Sequence, residues 1–91
     1  MQDYSFVAQQ IIKAQMVVIG PLAIAQAQKV VGLSIQDADH IEIIGNAKDV
    51  LSNLVNQYAQ LFGRASIEVC KDAIKEMQSP IPSKDLPDIL Q

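Results

Sequence analysis

Apolar positions recur at helical spacing from Tyr4 to about Val31. Val7, Ile11, Val18, Leu22 and Ala25 form one stripe, and Ala8, Ile12, Met16, Ile19 and Ala23 form a second beside it. A helix apolar over that much of its circumference needs neighbours on more than one side. Gly20-Pro21 predicts a kink or break, because proline gives up one helical hydrogen bond and its ring crowds the carbonyl four residues back. The period then changes. Leu33-Ser34-Ile35 and Ile41-Glu42-Ile43 alternate apolar and polar residues around the turn-rich Gln36-Asp37-Ala38-Asp39-His40, which predicts a short β-hairpin over about 33–44.

Helical spacing returns after Asn46, a good N-cap with Asp49 three residues on. Val50, Leu51, Leu54, Val55, Tyr58, Leu61 and Phe62 make a wide apolar face. Gly63 either ends this helix or lets another backbone approach it. Ile67, Cys70, Ala73, Ile74 and Met77 continue the pattern. Ser79-Pro80-Ile81-Pro82 is an extended stretch, since a residue before proline avoids the helical region. The expected architecture is mainly α: a bundle of about four helices with a hairpin insertion. One domain covers 1–78, and a proline-rich arm covers 79–91. Two strands alone are marginal in water, so the hairpin must pack on a helix or on another chain.

A shift of forty-three residues sets Val18-Ile19-Gly20 over Leu61-Phe62-Gly63, and Val7, Ile11 and Ile12 over Val50, Leu54 and Val55. Both halves read as apolar helix, glycine, apolar helix. A duplication would produce this, and so would any two amphipathic helices aligned on a shared glycine. Glycine inside a helix costs about 1 kcal/mol relative to alanine. Gly20, Pro21 and Gly63 are therefore expected at helix crossings or breaks. The run Ile19-Gly20-Pro21-Leu22-Ala23 resembles an Ile-Gly-Pro-(apolar)-Ala signature of a small helical domain of unknown function appended to bacterial signalling proteins. That resemblance implies an interaction or oligomerisation module rather than a catalyst.

Ninety-one residues leave room for one small domain. With 49% apolar and 19% charged residues the chain is not a disordered tail. A net charge of −3 argues against nucleic acid or an anionic membrane as the partner. The fifteen uncharged residues between Lys13 and Lys29 are too few, and too interrupted, to span a bilayer. The start of the chain lacks the cationic block of a secretory signal, and the lone Cys70 fits a reducing cytoplasm.

No chemistry-bearing set stands out. His40 sits among Asp37, Asp39 and Glu42 in a turn without calcium-loop spacing, and a zinc site would lack nitrogen or sulfur donors. Cys70 lies in the apolar rhythm of Ile67 and Ile74, where a thiol is usually inert, and His40 is its one candidate base. Gly20, Gly32, Gly45 and Gly63 are too scattered for a phosphate loop. No cofactor or metal is expected.

The expected function is a non-catalytic protein-interaction or self-association module, most simply a homodimer. Its motive is apolar surface beyond what one small chain easily hides. Ile12, Met16, Ile19 and Ala23 on the first helix, with Leu86, Ile89 and Leu90 on the arm, are the expected interface. The alternative is a carrier of a small apolar ligand or lipid, with a pocket between the helices.

Overall fold

A computed structural model describes residues 4–37 and 40–75. The elements run α1 (Tyr4–Ile19), α2 (Leu22–Ala27), β1 (Leu33–Asp37), β2 (His40–Ile43), α3 (Ala47–Phe62) and α4 (Arg64–Lys75). The proline-rich arm, Met77, and the turn residues Ala38 and Asp39 lie outside the described residues.

The helix from Tyr4 breaks at Gly20-Pro21. The N–H of Gly20 still donates to Met16, but its φ of +67° turns the chain out of the helical path. Pro21, at φ −58°, then starts α2 where its missing N–H costs nothing. Gly63 ends α3 in the same way at φ +79°. A methyl group built on either glycine would meet nothing within 4 Å, so both are there for backbone conformation and not for close approach. Asn46 caps α3, its side chain accepting from the Asp49 N–H at 3.1 Å.

The hairpin is a single antiparallel pair with Leu33 opposite Ile43 and Ile35 opposite Ile41. The register slips by one residue between Ile35 and Asp37. Its apolar side chains pack on the bundle, with β2 against α1 and β1 against α2. That packing supplies the support an isolated hairpin lacks.

One core holds the helices together: Val7, Ala8, Ile11 and Ile12 of α1 meet Ala23 and Ala27 of α2, and Val50, Leu51, Leu54, Val55 and Tyr58 of α3. Cys70 and Ile74 close it from α4. Burying a Leu, Ile or Val here is worth about 1.5–3 kcal/mol each. Two features of the expected pattern are corrected. The first stripe does not stay buried: Val7 and Ile11 are in the core, while Val18 at the end of α1 and Leu22 and Ala25 past the Gly20 turn face outward. The second stripe does carry across the turn, with Ala23 buried. The apolar face of α3 also stops short of its end, leaving Leu61 and Phe62 exposed.

Candidate contact surface

Two helix crossings, α1/α4 and α2/α3, are pinned by polar side chains. In the α1/α4 crossing the side chain of Gln15, only 1% exposed, donates from Nε2 to the Ser66 carbonyl at 3.0 Å. The same nitrogen lies 3.4 Å from Cys70 Sγ. In the α2/α3 crossing the hydroxyl of Tyr58 donates to the Ala23 carbonyl at 2.7 Å. Gln57 Nε2 also donates to Gln26 Oε1 at 2.9 Å. Among the described residues every buried side-chain nitrogen and oxygen has a partner, as a stable interior requires.

These bonds place both glycine junctions at one end of the molecule. Gln15 precedes the first junction by one turn and reaches Ser66, just past the second. Tyr58 precedes the second and reaches Ala23, just past the first. That end carries uncovered apolar side chains: Val18 is 62% exposed, Leu61 51% and Leu22 44%. Val17, 88% exposed, borders an open cleft of about 360 Å³ between α1 and α4, lined also by Ala14, Val69, Ala73, Lys13 and Asp72. A second cleft of about 330 Å³ lies beside α3, lined by Lys29, Val31, Asn53, Asn56, Gln57 and Gln60.

The interface expected from sequence is redrawn by this geometry. Ile12 and Ala23 are fully buried in the chain's own core and have no surface to offer a second chain. Met16 and Ile19 are half-buried against that core. Leu86, Ile89 and Leu90 lie outside the described residues. The outward apolar positions are instead Val17 and Val18 at the end of α1, Leu22 at the start of α2 and Leu61 at the end of α3.

Cys70 and His40 are set in contrasting surroundings. Cys70 is fully buried in α4, and burial pushes its thiol up to about 11, with the Gln15 hydrogen bond opposing part of the rise. Such a thiol carries almost no thiolate near neutrality, so it is a poor nucleophile. His40 is exposed on the hairpin, where Nδ1 donates to the Asp37 carboxylate, 2.8 Å from Oδ1 and 3.0 Å from Oδ2. This pair joins the ends of β1 and β2 where the register slips. Burial, reinforced by Cys70, also holds the Tyr58 phenol above its ordinary value. Among the described residues no three His, Cys, Asp or Glu side chains come together as a metal-binding set, and no helix is long and apolar enough to cross a membrane.

Gln15 and Ser66 are the polar positions that a search for apolar stripes passes over, whereas Tyr58 is already on the expected apolar face of α3. A signal for the first was present: Gln15 stands three and four residues after Ile12 and Ile11, in phase with the buried stripe. Compared with protein-family models, with curated proteins and with solved structures, the chain matches none.

Proposed function

We propose that the protein is a non-catalytic contact module that self-associates, in the simplest form as a homodimer, through the end of the bundle where the two glycine junctions meet. The observation that carries this reading is that Val17, Val18, Leu22 and Leu61 are all exposed within three residues of the two glycine junctions. Single exposed aliphatics are ordinary on a protein surface, whereas several together favour a partner. A two-fold contact is the default geometry for such a patch. Another protein with a matching apolar face could use the same surface. The reading includes a cytoplasmic setting, in keeping with the unpaired Cys70, and the bacterial signalling context that the Ile19–Ala23 resemblance implies. The inert surroundings of Cys70 support a module without catalysis, and the net charge of −3 disfavours nucleic acid as the partner.

A small apolar ligand is the second reading, favoured by the aliphatic lining of the α1/α4 cleft. Sedimentation equilibrium separates the two. Self-association predicts a concentration-dependent mass in the range of about 10–500 µM, weakened at least tenfold in V18D/L61D with the helical content unchanged. A strict monomer through that range overturns it. A co-purifying apolar molecule in native mass spectrometry, lost in V69N, would instead support the carrier.

A further inference from the structure

We propose that the chain is a tandem duplication: α1–α2 and α3–α4 are two copies of one helix–glycine–helix unit, packed on each other as an internal dimer about an approximate two-fold axis. The sequence offset alone left this open, since two amphipathic helices can be aligned on any shared glycine. The structure adds relations that such an alignment does not require. Moving α1, Tyr4–Ile19, by forty-three residues gives Ala47–Phe62, the bounds of α3. The buried positions of α1 are Val7, Ala8, Ile11, Ile12 and Gln15, and the same shift lands on Val50, Leu51, Leu54, Val55 and Tyr58, the buried positions of α3. Each helix ends at a positive-φ glycine whose N–H donates four residues back, Gly20 to Met16 at 2.9 Å and Gly63 to Ala59 at 2.8 Å. Each glycine carbonyl then accepts from the residue three further on, Ala23 at 3.0 Å and Ser66 at 3.1 Å.

The decisive relation is between the halves. In a two-fold pair, if position i of one copy touches position j of the other, then j of the first touches i of the second. Gln15 of the first unit donates to the Ser66 carbonyl of the second, and Tyr58 of the second donates to the Ala23 carbonyl of the first. Positions 15 and 58 are equivalent, and so are 23 and 66. The clefts obey the same rule: Lys13, Ala14 and Val17 facing Asp72 and Ala73 correspond to Asn56, Gln57 and Gln60 facing Lys29 and Val30. The side chains differ in a compensating way. The larger Tyr58 belongs to the crossing that has Ala27, and the smaller Gln15 to the one that has Cys70, with 27 and 70 again equivalent. The hairpin follows the first unit and joins it to the second.

The test is whether one crossing accepts the residues of the other in the full-length chain. Q15Y alone crowds Cys70 and should lower the melting midpoint by roughly 10 °C. Q15Y/C70A, which gives the α1/α4 crossing the pair found in α2/α3, should recover more than half of that loss. The introduced phenol should also find the Ser66 carbonyl. Q15Y/C70A should therefore melt above Q15F/C70A by about the interval that separates wild type from Y58F. A Q15Y/C70A chain that fails to fold, or that melts no higher than Q15F/C70A, overturns the equivalence. The reciprocal pair gives a second reading: A27C should raise the midpoint of Y58Q, and a further drop would count against the duplication.

Discussion

The α1/α4 and α2/α3 crossings are tied alike inside and differ in what they show to solvent. Inside, each is tied by one donor to a carbonyl of the facing helix, Gln15 to Ser66 and Tyr58 to Ala23. Outside, the α2/α3 crossing is covered by amides, with Gln57 bonded to Gln26 and Asn53, Asn56 and Gln60 around them. The α1/α4 crossing instead presents Ala14, Val17 and Val69. Both crossings need an inner tie, because an unpaired polar group in the core is costly. Solvent imposes no matching demand on the outer faces. The aliphatic one is where a small apolar ligand would gain most from excluding water.

The inner ties give the largest effects. Tyr58→Ala removes a fully buried ring and should destabilise the fold by about 3–5 kcal/mol, read by urea denaturation. Gln15→Ala removes a smaller group and one hydrogen-bonded amide, and should cost about 2 kcal/mol. Equal losses at the two positions would show that size does not distinguish the crossings.

Alkaline stability sharpens the contrast at the next level. The folded-state value of the Cys70 thiol is raised from 9.0 to about 11, so the unfolded chain releases its proton first as pH rises. The stability gained from keeping the thiol neutral is complete below about pH 9 and is lost as pH climbs towards 11. That loss is roughly 2–3 kcal/mol. Tyr58 acts in the same direction at higher pH, its value being raised chiefly by burial. C70A should remove the thiol part of the decline and keep the phenol part. A decline unchanged in C70A would assign it to Tyr58 alone.

The outer faces give the smallest stability changes and separate the crossings most clearly. Gln57→Ala leaves the buried amide of Gln26 without this partner and should cost about 1 kcal/mol. Val17→Asn, at a side chain almost wholly in solvent, should stay within about 0.5 kcal/mol of wild type. Thermal denaturation of the two variants checks both, and a larger loss at Val17 would mean that its side chain is covered within the protomer.

Much of the fold was legible because its signals are local. The alternation around Leu33-Ser34-Ile35 and Ile41-Glu42-Ile43, the Asn46 cap and the breaks at Gly20-Pro21 and Gly63 depend on residues within a few positions of one another. The contact surface was less legible. A helical wheel carried across Gly20 assumes one axis, whereas the +67° turn starts a new one on which Leu22 and Ala25 are exposed. Val18, still on the first axis, is exposed where no other element covers the end of α1. Ile12 and Ala23 were drawn to the wrong side of the protein surface for a different reason. Period shows that a residue is apolar on one face, but not whether the chain's own α3 and α4 will cover it. Gly32 was equally silent in the sequence: a methyl group there would lie 2.8 Å from Val50 Cγ2 and 2.9 Å from the Ile44 carbonyl oxygen. That contact seats the turn before β1 against α3 and depends on the hairpin's return path.

Methyl NMR spectra recorded across a concentration series put the proposed contact surface to its most direct trial. Val17, Val18, Leu22 and Leu61 should shift together as the protein is concentrated, while Val31, which is also exposed but sits in the amide-lined cleft, stays fixed. Shifts at Val31 without shifts at Val18 and Leu61, or no concentration dependence at any of them, would contradict the account.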